Sequence, residues 1–434
     1  MPDAKTNHPW RLFIAAAAAF STYFCMYGFR KAFNAGTFEG EEVFGIGLKA
    51  ALVISQLAGY MLSKFIGIRV ISELGSRYRA LGIVLLILFA EATLVGFAYV
   101  PVPWKLVMLF LNGLPLGMIF GLVMAYLEGR RQTEALSAAL CASFIMSSGV
   151  VKSVGRWLIQ EHGVGEFVMP MLTGLIFLPP LLLSVGVLQT TPPPDAQDRH
   201  ERNERKAINR QQRWDFLSAY FPGLSLLLFV FISLTIVRTI RDDFGVELWR
   251  DLGVDKTPSI YATSETIVAF VVTGMAALMI WIPQNLIALR VTAGLMCAAF
   301  GLALGSVVLR SSGTISPFVF MVACGIGLYV PYVAFHTTVF ERLIAASPHP
   351  SNLGFLMYLA DSLGYLGLAV VMAAKTGLAV PGKVLPFFQG TLSIVSISSI
   401  VALIAAMVYF HRVLSNAPAP APAPPAPELL EMAE

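Results

Sequence analysis

The sequence predicts an all-α integral membrane protein with twelve transmembrane helices in two pseudo-symmetric six-helix bundles. Three observations carry that prediction. First, 56% of the 434 residues are hydrophobic and 13% are charged, against about 25% charged in an ordinary soluble domain, and the mean hydropathy is +0.72. Second, the apolar runs are about 20 residues long, which suits helices crossing roughly 30 Å of hydrocarbon and not the short alternating strands of a barrel. Third, a single long polar stretch divides the runs six and six.

The first run, 11–34, follows Trp10 and ends in YFCMYGFRKAF. Runs 46–68, 79–101, 104–127, 134–159 and 167–189 complete an N-terminal bundle over 1–189. Residues 190–214 open with a proline run and carry Arg199, Arg202, Arg205, Lys206, Arg210 and Arg213, so they read as a solvated basic linker. A C-terminal bundle over 215–413 follows, with runs 215–240, 258–282, 284–309, 315–341, 353–375 and 386–411. The Pro/Ala-rich tail, 414–434, reads as extended and disordered, with no chemistry.

The charges orient these runs. Arg11, Arg69, Arg77, Arg79, Arg130, Arg131, the linker cluster, Arg342 and Arg412 fall on one side. Acids gather on the other: Glu39, Glu41 and Glu42 after the first run, and Asp242, Asp243, Glu247 and Asp251 after the seventh. The positive-inside rule then places both termini and the linker in the cytoplasm of a multi-pass inner-membrane protein. The first run is too long for the core of a cleavable signal. The net charge of +4 is small.

Several classes of chemistry are not expected. The sequence shows no glycine-rich phosphate loop with its lysine and no enzyme constellation. Cys25, Cys141, Cys297 and Cys324 lie in apolar runs without metal-ligand spacing, so neither a metal nor a disulfide framework is predicted. No cofactor, no nucleic acid and no catalytic residue is expected. The expected partners are a small anionic substrate and the lipid bilayer, with the chain as a monomer.

Two six-helix halves joined by a basic linker resemble the layout of the major facilitator superfamily, in which the substrate site lies between the halves near mid-depth. A charged side chain within a spanning helix is a functional hypothesis by default. The basic candidates are Arg30, Lys31, Lys152, Arg156, Arg238 and His336, and the acidic ones are Glu91, Glu265 and Asp361. Arg30 lies about 28 Å of helix beyond Arg11, so it either snorkels to the headgroups or faces inward. The far end of the seventh run matches it with Arg238. Two guanidinium forks, one per half, need a dianion between them, and phosphate esters meet that demand. Lys152 reads as a cavity cation or as half of an ion pair with Glu91 or Asp361. Glu91 reads as a proton carrier or, preferably, as a helix–helix strut. His336 reads as a substrate or proton ligand or as a packed histidine.

The stretches YFCMYGFRKAF (23–33), GYMLSKFIGIRVISELGSRYR (59–79), LTIVRTIRDDF (234–244) and 328–369 resemble the organophosphate:phosphate antiporters, the glycerol-3-phosphate and hexose-phosphate transporters. The resemblance implies that Arg30 and Arg238 clamp a phosphate. It also implies that Lys31 accompanies them, that Tyr23 and Tyr27 line the cavity, and that Glu265 matches a family acid. The family's helix-five histidine has no counterpart in SFIMSSGVVKSVGRW, where Lys152 is the nearby polar group instead, which points to a different substrate. The implied function is alternating-access transport of a small organic phosphate or similar multivalent anion, with inorganic phosphate as counter-substrate. Arg30, Arg238, Lys31, Tyr27, Tyr23, Lys152 and His336 would form the substrate site, and Asp361 and Glu265 would be the coupling candidates. The competing readings are a proton-coupled symporter of a carboxylate or phosphonate, and a non-transporting membrane sensor.

Overall fold

A computed structural model describes residues 9–73, 76–127, 133–191, 210–254, 257–279, 281–349, 351, 353–374 and 384–415. Most of the linker and nearly all of the tail lie outside them. Twelve helices of 18 residues or more run through the described residues, one for each predicted run. They are α1 (Pro9–Arg30), α2 (Leu48–Glu73), α3 (Arg79–Tyr99), α4 (Val102–Leu127), α5 (Thr133–His162), α6 (Met169–Gln189), α7 (Phe221–Asp243), α8 (Ser259–Met279), α9 (Asn285–Ser311), α10 (Pro317–Ala346), α11 (Leu353–Ala374) and α12 (Val384–Ser415). Nine helices among the described residues pass a strict test of length and hydropathy for spanning a bilayer. The fold is that of an all-α, multi-pass membrane protein. Outward-facing leucines, valines and phenylalanines such as Leu85, Phe89, Leu183, Phe270 and Val401 stay exposed, as expected where lipid and not water is the solvent.

Helices α1 to α6 pack on one another, as do α7 to α12. The extensive contacts between the two groups are α5 against α8 and α2 against α11. The α5–α8 crossing is close because residue 149 is glycine: a Cβ there would stand 2.5 Å from the Tyr261 carbonyl oxygen. Small residues let helix backbones approach in this way.

Two local features position the site. In α10, Ser316 caps the start by accepting the Val319 N–H, and Pro317 occupies the first turn. Pro331 then removes one backbone donor, and the helix relaxes into a π-turn at Phe335–Val339. Between α1 and α2 the chain forms a 3₁₀ turn, Ala32–Ala35, and a two-stranded hairpin, β1 (Glu42–Val43) with β2 (Ile46–Gly47), paired Glu42 with Gly47 and Val43 with Ile46. Phe44 and Gly45, both at positive φ, make its two-residue turn. The Glu166 carboxylate holds the loop before it, accepting the N–H groups of Thr37 at 2.8 Å and Phe38 at 2.6 Å.

One sequence expectation is corrected here. Asp242, Asp243 and Glu247 are not solvated loop charges. Helix α7 continues through Asp243, Glu247 lies on the short helix Gly245–Asp251, and all three acids are buried.

Candidate functional site

Helices α1 and α7 both run from the side of the chain termini to the opposite, distal side. At their distal ends the two bundles meet through charge. Lys31 pairs with Asp243 and, at 3.1 Å, with Asp242. Asp242 also holds Lys152 of α5 at 2.6 Å and accepts the Ser148 hydroxyl. Asn34 donates to Asp243 at 2.8 Å. One layer further out, the Lys49 ammonium at the start of α2 donates to both Glu247 oxygens, at 2.6 and 2.7 Å. Burial pushes the Glu247 carboxyl above its ordinary range, against the opposing pull of Lys49. At the surface Glu39 meets Arg250. The inner pairs place cations on the N-terminal bundle and acids on the C-terminal one. Their polarity therefore draws the distal ends of the bundles together.

On the side of this seam nearer the chain termini the pattern changes. Arg30, the last residue of α1, lays its guanidinium over the Tyr60 ring at 3.9 Å and beside Tyr27 at 5.6 Å. Arg238 of α7 lies over Tyr332 at 4.1 Å and beside Tyr329 at 5.7 Å. Its side-chain donors reach only Thr239 Oγ1, at 3.3 Å, and its Nε has no hydrogen-bond partner among the described residues. No carboxylate among the described residues lies within ion-pair distance of either arginine. The field of Asp242 reaches Arg238, but its oxygens are engaged by Lys31, Lys152 and Ser148. Tyr60 and Tyr365 link the two sides, ring edge to ring face with centroids 6.2 Å apart, and Phe144 of α5 meets Tyr332 at 5.9 Å. The result is two arginines, one from each bundle, held on tyrosine faces in a frame of aromatic rings. Cation–π contact keeps a guanidinium in place while leaving its in-plane donors available to a ligand.

The chemistry of this frame suits an anion, and no group of His, Cys, Asp or Glu side chains that could hold a metal occurs among the described residues. A family model described as a family of unknown function (DUF5690) matches residues 32–413. The chain belongs to the DUF5690 family. No curated protein matches it by sequence. Solved structures do match in fold. A D-xylose–proton symporter superposes with TM-score 0.61 at 12% identity, covering 92% of this chain and 97% of that one. A POT family transporter in complex with 5-aminolevulinic acid gives TM-score 0.59 at 13% identity, covering 94% and 98%. A bacterial homologue of the human lysosomal transporter Spinster, inward-facing and unoccupied, gives 0.54 at 11%, covering 94% and 98%. This DUF5690 chain therefore has the major facilitator fold that its layout predicted.

The remaining predicted residues divide. Tyr23 and Tyr27 are buried and meet edge to face at 5.7 Å, so Tyr27 joins the frame and Tyr23 backs it. His336 sits on the π-turn, half-buried, its ring 4.4 Å from Tyr332 and its Nδ1 2.8 Å from the Tyr332 carbonyl. Asp361 is half-buried on α11 within the electrostatic reach of Tyr332. Glu265 pairs with Arg241 at 2.8 Å, and Arg241 also donates to the Met321 carbonyl at 2.9 Å. Lys31 and Lys152 are taken up by the distal acids. The partner of Lys152 is Asp242, not the Glu91 or Asp361 that the sequence suggested. Glu91 makes no polar strut, since neither of its carboxyl oxygens has a hydrogen-bond partner among the described residues. The side chain of Lys64, in the Ser-Lys-Phe stretch, and that of Cys141 lie outside the described residues.

Sequence reasoning missed three of the tyrosines that receive the arginines, Tyr60, Tyr329 and Tyr332, and Tyr365, which meets Tyr60. Tyr60, Tyr329, Tyr332 and Tyr365 all fall inside the stretches already singled out. A tyrosine in an apolar run carries no mark of which way it faces. It missed Lys49 and Glu247 as well, because each looks like a charge at a helix end.

Proposed function

We propose that this protein is a secondary active transporter, not an enzyme. It would move a small organic phosphate or similar multivalent anion by alternating access, in exchange for inorganic phosphate. The observation that carries this reading is a contrast among the cations where the two bundles meet. Lys31, Lys49, Lys152 and Arg241 each have a carboxylate partner, while Arg30 and Arg238 have tyrosine faces and no acid among the described residues. Two such guanidinium groups in a low-dielectric frame repel unless a multivalent anion sits between them. The resemblance of YFCMYGFRKAF and LTIVRTIRDDF to the organophosphate:phosphate antiporters supports the same assignment.

In this reading the basic loops lie in the cytoplasm and the membrane is the inner one, so the distal ion pairs close the outer side. The cavity then opens inward. Anion binding lets the arginine-bearing halves approach on the cytoplasmic side, and the distal pairs must part for release outside. Tyr27 and His336 shape the site, and a monomer suffices.

Reconstitution tests it. Liposomes holding the purified protein and loaded with inorganic phosphate take up labelled phosphate or a sugar phosphate. Liposomes without an internal anion do not. Binding without any exchange would favour a sensor with the same fold.

A further inference from the structure

One buried acid is unused by this mechanism. Glu91 stands mid-way along α3 at 6% exposure. Neither of its carboxyl oxygens has a hydrogen-bond partner among the described residues. It presses on α6 where residue 174 is glycine: a Cβ there would stand 2.1 Å from Glu91 Oε2, and Phe29 of α1 borders the same point.

Among the described residues, the helices packed against α3 offer Glu91 no counter-charge. Helix α6 carries no ionisable side chain from Met169 to Gln189. On α1, Arg30 turns to Tyr60, Tyr23 and Tyr27 pack on each other, and Cys25 is a buried thiol. On α4, Lys105 donates to the Phe97 and Ala98 carbonyls at one end of the helix, and Tyr126 lies by Arg79 at the other. Between them Asn112 donates to the Ala90 carbonyl and to Thr93. A carboxylate in such surroundings has neither cation nor donor and bears the full cost of a buried charge, whereas the neutral acid bears only the smaller cost of an unpaired polar group.

We propose that Glu91 carries a proton in this conformation and is the proton-binding site through which the anion carrier is coupled to a pH gradient. The coupling half of this proposal rests on the transport reading above. Its physical basis is access. Helices α1 and α6 pack closely beside the carboxyl: a Cβ at Gly28 would stand 2.7 Å from Phe177, and Phe29 borders Gly174 where Glu91 presses. Water reaches Glu91 only when α1 shifts against α6, and α1 ends in Arg30. The step itself is simple: carboxylate and proton form the neutral acid when the seal opens to one side, and part when it opens to the other. Glu265 is less suited to this role, because it is already paired with Arg241.

Two readouts test the proposal. The first needs no transport. The purified protein in liposomes is treated at pH 7 with dicyclohexylcarbodiimide, which attacks protonated carboxyls in apolar surroundings, and the Glu91 peptide is examined by mass spectrometry. We expect labelling at Glu91 that fades as the pH is raised. No labelling between pH 5 and 8 would overturn the proposal.

The second readout is the ratio of labelled-phosphate uptake into phosphate-loaded liposomes under an inside-alkaline gradient to the same exchange at equal pH. We expect the ratio to be several-fold in the natural protein, to fall to about one in Glu91→Gln, and to return in part in Glu91→Asp. A several-fold ratio in Glu91→Gln would overturn the proposal. Absence of all phosphate movement in the natural protein would instead overturn the transport reading, and the labelling would still decide whether Glu91 holds a proton.

Discussion

The ring of Tyr60 on α2 meets the ring of Tyr365 on α11 edge to face, centroids 6.2 Å apart, and the outer face of Tyr60 carries the Arg30 guanidinium at 3.9 Å. One tyrosine thus joins the two bundles and positions the cation of one of them. Such a contact is worth about 0.5–2 kcal/mol. Tyr60→Leu should therefore raise the half-saturating phosphate concentration for exchange by about 2- to 30-fold, with a smaller effect in Tyr60→Phe. Titration of exchange in reconstituted liposomes measures this. Equal losses in both variants would point to the hydroxyl and not the ring.

Lys31 and Asp243 form a buried pair between the bundles. Removing one partner leaves an uncompensated buried charge, which costs about 3–5 kcal/mol. Lys31→Met should lower thermal stability by many degrees. Lys31→Met with Asp243→Asn should recover much of the loss, because both charges leave together. A double variant no more stable than the worse single one would contradict the pairing.

Lys49 and Glu247 make the outer layer of the same seam. If these pairs hold the distal side shut, Glu247→Gln should raise the labelling of a cysteine placed below the seam by an impermeant thiol reagent added from that side. Unchanged labelling would mean that the remaining pairs suffice to keep it closed.

Gly149 sits where α5 crosses α8, and a Cβ there would stand 2.5 Å from the Tyr261 carbonyl oxygen. Gly149→Ala should force the helices apart at a cost of about 1–3 kcal/mol. It should also weaken the distal-closed state relative to the open one. Fluorescence transfer between labels on the distal loops reads the separation directly.

Much of the fold was legible in the sequence because bilayer thickness fixes helix length, so twelve windows became twelve helices with small shifts at their ends. The site was legible only in part. Arg30 and Arg238 stood out because a cation in an apolar run demands an explanation. Their tyrosine platforms did not, because an aromatic ring suits lipid, core and cavity equally. Asp242 and Asp243 were misread as loop charges. The apolar run ends at Ile240, but the helix continues, since Lys31 and Lys152 of the other bundle neutralise the acids it buries. Pairings between residues some 90 to 212 positions apart are set by how the bundles face each other, and local pattern does not encode that.

Arg30 and Arg238 are proposed to act together as one anion clamp. The most direct test is phosphate self-exchange by purified Arg30→Lys and Arg238→Lys in liposomes, beside the natural protein. Lysine keeps the charge but loses the planar fork and its stacking on tyrosine, and hydrogen bonds to charged groups are worth about 1.5–3 kcal/mol each. The predicted result is a fall in exchange of about 100-fold or more in each variant, with folding retained. Exchange at the natural rate in both would contradict the clamp and, with it, the central claim.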